Sequence, residues 1–199
     1  DKISGTNFDS DHVHTILDAG IPFTSLQLQY SLLDRRPEKR MVALAKRHDI
    51  ALFCYGTVAG GFLSDRWLGK IEPEHPLENR SLTKYKLIID DLGGWDLFQA
   101  LLQALRKIAD RHATDIATIA SAAMLRRPGV SAVIVGARNR DHLSSNLAIA
   151  SVTLSDADLA EIDAALVGAR ELMGDVYTLE RDRTGRHGSI MKYNLNKGE

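Results

Sequence analysis

Cysteine is almost absent: the 199 residues contain one, Cys54. A single thiol cannot close a disulfide within the chain, so a disulfide-stapled secreted fold is excluded and a reducing, cytoplasmic setting is expected. Charge of one sign is not in excess either. Lys and Arg number 25 against 26 Asp and Glu, a formal net charge of −1, so no global field draws the chain to nucleic acid or to an anionic membrane. Long apolar runs are missing; none approaches the roughly 18 residues that span a bilayer, and no signal peptide is visible. Several catalytic patterns are also absent: paired carboxylates, a Ser-His-Asp order and a Gly-rich phosphate loop. His12 and His14 lie two apart and share no helix face, so no metal site is expected.

What is present is an alternation of strand and helix signals. "SDHVHTILDAG" offers Asp9 and Ser10 as helix caps and Gly20 as a stop. "IPFTSLQLQYS" alternates and predicts a strand over about 21–29, with polar Gln27 and Gln29 on one face. "RPEKRMVALAKRHD" predicts a helix with Pro37 in its first turn, and the charge cluster "RRPEKR" over 35–40 reads as its solvated start. Apolar runs at about 50–55 and 131–136 predict two further strands, and a fourth is expected to end in "KISGTNF". Cys54, inside one of these runs, is expected to be inert core. "VAGGFLSDRWLGK" is a Gly-rich loop or short helix, and 70–81 is loop. "WDLFQALLQALRKIADRH" is an amphipathic helix, and "TDIATIASAAMLRRPG" is another, capped by Thr114. A helix is predicted from about 140 to 150, and one more over "LSDADLAEIDAAL", where Ser155 and Asp158 approach a capping box. The tail from 174 has no period and is expected to be an extended segment or a lid. Together these elements predict an α/β fold with a parallel sheet and outer helices.

In such folds ligands bind at the carboxyl ends of the strands. Here those ends are "GTNF", "QLQYS", "YGTVAGG" and "VGARNR". Asn7 and Gln27 each carry an amide donor and acceptor suited to another amide or a heterocycle. Tyr55 can lay a flat ring on a flat ligand, Gly56 and Gly136 allow close backbone approach, and Arg138 can pair bidentately with a phosphate.

These four loops, in this order and spacing, resemble the carboxyl-terminal half of an aldo-keto reductase, a (β/α)8 TIM-barrel family that binds NADP without a Rossmann domain. "GTNF" is similar to the family's strand-five end, and "LQLQYSLLDRRPE" to its "NQVQYSLLDRRPE". "YGTVAGGFL" is similar to the strand-seven loop, and "VIVGARNRDHLSSN" to the strand-eight cofactor loop and its helix. Gly56 stands where the family usually has Ser, and Gly136 where some branches have Lys.

The resemblance implies a partial barrel of about four parallel strands over 1–173, followed by the 174–199 tail. It implies that Thr6, Asn7 and Gln27 hold the nicotinamide carboxamide and that Tyr55 stacks on the ring. Gly56, Thr57, Val58, Ala59 and Gly60 would wrap the pyrophosphate. Gly136 and Arg138 would meet the adenosine 2′-phosphate, with His142 beside it and Asn146 on the adenine. The family's catalytic Asp, Tyr, Lys and His come from its first four strands, so no catalytic residue is assigned to this stretch. By itself it is expected to reduce no carbonyl and to bind the cofactor weakly. Its intact parent would transfer hydride between NADPH and an aldehyde, ketone or sugar. The competing expectation is a non-catalytic nucleotide-binding or interaction remnant of that fold.

Overall fold

The computed structural model describes residues 2–137 and 140–191. Its centre is a four-stranded parallel sheet of β1 (Ile3–Thr6), β2 (Phe23–Gln29), β3 (Ala51–Tyr55) and β4 (Val130–Ile134), in spatial order β1-β2-β3-β4. In the register Thr6 lies beside Gln27, Gln27 beside Phe53, and Tyr55 beside Ile134. Parallel neighbours need crossovers, and helices supply them. α1 (Ser10–Asp18) joins β1 to β2, and α2 (Met41–Arg47) joins β2 to β3. The long connection to β4 carries α3 (Arg80–Leu92), α4 (Trp95–Arg111) and α5 (Ile116–Leu125). α6 (Leu143–Ala148), α7 (Asp156–Ala165) and the short α8 (Thr178–Arg181) follow. The strand order never reverses, so the sheet has no switch point and winds as an arc of a (β/α)8-type barrel.

Alternation along the strands divides the two faces. Leu26, Leu28, Leu52 and Cys54 are fully buried on one face, within a core that includes Val13 of α1 and Met41 of α2. On the opposite face Ser4, Thr6 and Gln27 are exposed and Ala51, Phe53 and Tyr55 are half-buried. α4 buries Phe98, Leu101, Leu102, Leu105 and Ile108, the stripe its 3.6-residue period predicts. Beside it Phe62 and Phe98 meet edge to face at 5.9 Å, as do Trp67 and Trp95.

Several local expectations are corrected. The helix over "RPEKRMVALAKRHD" is two elements: a 3-10 turn at Arg36–Glu38 holding Pro37, then α2. The cap of α5 is Asp115, whose carboxylate accepts from the Thr118 N–H, not Thr114. β4 stops at Ile134, and the helix over about 140–150 is a 3-10 turn at Arg140–His142 followed by the six-residue α6. "VAGGFLSDRWLGK" forms two 3-10 turns, Ala59–Gly61 and Asp65–Trp67. The cluster over 35–40 is not wholly solvated, because Arg36 is only 2 % exposed. α3 is an element the sequence reading did not anticipate. The Asp9 cap of α1 and the Ser155–Asp158 capping box of α7 are both formed.

Beyond residue 174 the chain returns across the strand ends. Asp175 accepts the Ser10 N–H at 2.9 Å, and Arg181 pairs with Asp9 and donates to the Asn7 carbonyl at 2.8 Å. Val176, Glu180 and His187 are buried.

Candidate functional site at the strand ends

The site is assembled from the last residues of β1, β2 and β3 and the turns that follow them. Asn7 leaves β1 with φ 60°, a left-handed conformation that Asn tolerates better than most residues. Its N–H donates to the Gln27 carbonyl at 3.0 Å, which ties the ends of β1 and β2 together. Its side-chain oxygen accepts the Tyr55 hydroxyl at 2.6 Å. Burial pushes the Tyr55 hydroxyl well above its ordinary value, so Tyr55 stays protonated and acts as donor. Thr6 and Gln27, neighbours in the register, present exposed side chains on the open face. Thr6, Asn7, Gln27 and Tyr55 are thus brought together by three adjacent strands.

The turn after β3 closes on itself. Ala59 N–H donates to the Gly56 carbonyl at 2.8 Å and Gly61 N–H to the Val58 carbonyl at 2.9 Å. Gly56 sits at φ 72°, and a side chain there would collide with the Tyr85 hydroxyl of α3. A Cβ on Gly60, at φ 64°, would come within 2.7 Å of the Tyr85 ring. Glycine is therefore required twice, by conformation and by the close packing of Tyr85. Thr57 is buried and shares a 2.9 Å hydrogen bond with Ser121, and Ala59 is core. Those two residues can meet a ligand only through their backbone; Val58 is half-buried and Gly60 exposed.

After β4, Gly136 is exposed, and a Cβ there would meet nothing within 4 Å. Asn146 donates to the Gly136 carbonyl at 3.1 Å, which ties α6 to the loop. His142 is exposed at the start of α6 and accepts the Ser145 hydroxyl on its carbonyl at 3.1 Å. Arg138 lies outside the described residues, so its expected phosphate contact has no geometry to set beside it.

A charge cluster lies behind this mouth and was not foreseen. Arg36 donates to both carboxylate oxygens of Asp34, at 2.6 and 2.8 Å, and to both of Glu180, at 2.9 and 3.1 Å. Gln29 donates to Asp34 at 2.6 Å. Burial acts to raise the Asp34 carboxyl, but the Arg36 hydrogen bonds and charge outweigh it and hold Asp34 below the usual carboxylate range. Lys84 of α3 completes the group, with Nζ 6.0 Å from the Tyr55 ring centroid and 5.4 Å from that of Tyr85. Burial lowers its pKa. The sequence places Arg36 in the "RRPEKR" cluster over 35–40, which reads as solvated charge, and Glu180 is too distant in sequence for any local signal.

The donor set suits a nicotinamide dinucleotide. One side-chain amide, Asn7, is bonded to the Tyr55 ring hydroxyl, a second amide and a threonine hydroxyl lie exposed on the same sheet face, and nothing would meet a Cβ on the glycine one strand further on. No cluster of metal-ligating side chains occurs among the described residues.

A singly wound parallel sheet whose polar residues collect at the carboxyl ends of its strands defines a barrel-type α/β fold. Residues 2–167 match the profile of the aldo/keto reductase family, and the chain belongs to that family. It is 30% identical over 125 residues to flagellar radial spoke protein 5 of Chlamydomonas reinhardtii, covering 60% of this chain and 24% of that protein. It is 25% identical over 159 residues to the NADH-specific methylglyoxal reductase of Escherichia coli strain K12, covering 78% of this chain and 45% of the relative. In structure it resembles the glycerol dehydrogenase AKR11B4 from Gluconobacter oxydans, with a TM-score of 0.69 at 18% identity over 85% of this chain and 50% of that one. The chain therefore spans half or less of the length of these relatives.

Proposed function

We propose that this chain forms the cofactor-holding side of a nicotinamide-dependent carbonyl reductase, with NADPH as hydride donor to an aldehyde, ketone or sugar in the cytoplasm. The observation that carries the reading is the junction of Asn7, Tyr55 and Gln27. Three adjacent parallel strands deliver two amides and a phenol ring to one place, and a 2.6 Å hydrogen bond locks the ring to one amide. With its Oδ1 engaged by Tyr55, Asn7 offers its amide nitrogen to a carboxamide oxygen. Gln27 and Thr6 add further groups, and Tyr55 supports the ring and sets which face is open. The bound cofactor supplies hydride. The residues of this chain bind and orient it, and no proton-donor role is assigned to any of them.

The phosphates fall to the turn from Gly56 to Gly60 and to the loop of Gly136 and Arg138. A preference for NADP rests on Arg138, whose guanidinium matches the extra phosphate. A relative that bears the name NADH-specific makes this the point to test. Fluorescence titration of the chain with NADPH and NADH, repeated on Arg138→Ala, separates the cases. The expected result is a loss for NADPH of roughly tenfold or more with little change for NADH, the worth of one charge-assisted hydrogen bond. Equal losses would remove Arg138 from the phosphate site.

The second reading, a nucleotide-binding or interaction module without catalysis, is favoured by the match to a radial spoke protein. Cofactor oxidation in the presence of reactive aldehydes by a protein that joins this chain to strands carrying the family's Asp, Tyr, Lys and His would exclude it, and its absence there would favour it.

A further inference from the structure

Asn7 stands in a conformation that three separate contacts enforce. At φ 60° it is left-handed, and a residue other than glycine keeps such a backbone where its surroundings over-determine it. Two of the contacts come from neighbouring strands. The Asn7 N–H donates to the Gln27 carbonyl at 3.0 Å, and the Asn7 side-chain oxygen accepts the Tyr55 hydroxyl at 2.6 Å. The third comes from 174 positions away in sequence, where Arg181 donates to the Asn7 carbonyl at 2.8 Å.

The same guanidinium pairs with Asp9, which is itself a fixed point. One Asp9 oxygen caps α1 by accepting the His12 N–H at 2.9 Å, and the other faces Arg181. Burial acts to raise the Asp9 carboxyl, but the His12 hydrogen bonds and the charges of His12 and Arg181 outweigh it, so Asp9 meets Arg181 as a carboxylate. One residue further on, the Ser10 N–H donates to Asp175 at 2.9 Å. The returning segment therefore grips the turn between β1 and α1 at both ends, by the Asn7 carbonyl and the Ser10 amide. A lid rests on a ligand; these contacts fall instead on the backbone that presents Asn7. The planar fork of an arginine bonds a carbonyl and a carboxylate at once, which fixes the direction of the carbonyl as well as its distance.

We propose that Arg181 is a positioning residue for the cofactor: by holding the Asn7 carbonyl against Asp9, it aims the Asn7 amide at the nicotinamide carboxamide. This rests on the cofactor reading above. The carboxyl-terminal segment is then a clamp on the nicotinamide end of the site, and the adenosine end is independent of it.

The test is an NMR titration of the 199-residue chain with NADPH and with adenosine 2′,5′-bisphosphate, which carries no nicotinamide. Arg181→Gln is expected to weaken NADPH by about fivefold or more while leaving the bisphosphate within about twofold. Asn7→Gly removes the amide and suits the left-handed backbone. In that background Arg181→Gln is expected to cost NADPH less than about twofold more, because the group it positions is gone. Arg181→Lys keeps the charge but not the fork, and is expected to recover part of the loss. No change for NADPH, equal weakening of both ligands, or the same loss with and without the Asn7 amide would each overturn the proposal. The Arg181 side chain is 37% exposed, so its variants are expected to fold, and thermal melts check this. Should Arg181→Gln fail to fold, Arg181→Lys, alone and with Asn7→Gly, decides by the same criteria. If Asn7→Gly leaves NADPH affinity unchanged, or the unaltered chain does not bind NADPH, the cofactor reading fails and takes this proposal with it.

Discussion

At Gly56 two constraints fall on one residue: a backbone at φ 72° and the Tyr85 hydroxyl where a methyl group would go. Gly56→Ala should cost about 1–3 kcal/mol in urea unfolding, the usual range for a forced methylene plus left-handed strain. Tyr85→Phe in the same chain should recover part of that loss, because it removes the clashing oxygen; no recovery would place the whole penalty in the backbone. Asp158 is a second residue with a definite signature. Burial acts to raise its carboxyl, but Arg111, the Ser155 N–H, His112 and the Ser155 hydroxyl outweigh it, and its pKa falls well below the ordinary value of 3.8. A depressed folded-state pKa means stability that is fully present above about pH 5 and lost as pH falls through the folded value. Asp158→Ala should therefore cost about 0.5–2 kcal/mol at pH 7, the worth of a helix cap. Stability of the variant should also fall less steeply than the parent's between pH 5 and pH 2. Parallel acid profiles for the two proteins would contradict the assignment. Cys54 has the opposite character: burial alone pushes its thiol up to about 12, and it is inert core, as its place in an apolar run implied.

Among the elements, those with strong caps or a clean apolar stripe were legible. Asp9, Ser155 and Asp158 act as local hydrogen-bond acceptors, and α4 repeats its apolar residues on one face. α3 was missed although Leu82, Tyr85, Ile88, Ile89 and Leu92 are buried at helical spacing and Asn79 caps it. Lys84 and Lys86 interrupt the stripe, and each draws on a carboxylate from outside the helix, Glu180 and Glu72 respectively, which no spacing within it announces. Lys86 is held by Asp90 at 2.5 Å and by Glu72 at 2.6 Å. The strand expected to 136 stops at Ile134, and the helix expected from about 140 begins as a 3-10 turn at Arg140–His142, because neither a strand end nor a 3-10 turn leaves a periodic trace. Since α4 packs its stripe against α5 and α7, Leu101→Ala should cost about 2–5 kcal/mol by thermal or urea unfolding. A loss under about 1 kcal/mol would mean that α4 is peripheral.

For the whole molecule, the parallel sheet and its outer helices followed from the alternation of segments, and the family followed from four loops in sequence. The candidate site was legible where one residue type implies one chemistry, as with Asn7, Gln27 and Tyr55. It was illegible where chemistry depends on long-range return of the chain. Asp34 and Arg36 are two residues apart, but Glu180 joins them across 144 positions. No periodicity announces such a contact. Deciding which polar residues face outward likewise required the sheet: Gln27 and Gln29 alternate identically in sequence, and the fold exposes the first and buries the second.

The central claim is that the strand ends of this sheet hold a nicotinamide dinucleotide. It is tested most directly by titrating isotope-labelled chain with NADPH and mapping which backbone amides shift. Saturable shifts should centre on Thr6, Asn7, Gln27, Tyr55 and the turn from Gly56 to Gly60, and a Gln27→Ala, Tyr55→Ala double variant should lose them while remaining folded. An absence of saturable shifts up to millimolar NADPH, or shifts confined to residues away from the strand ends and intact in the double variant, would contradict the account.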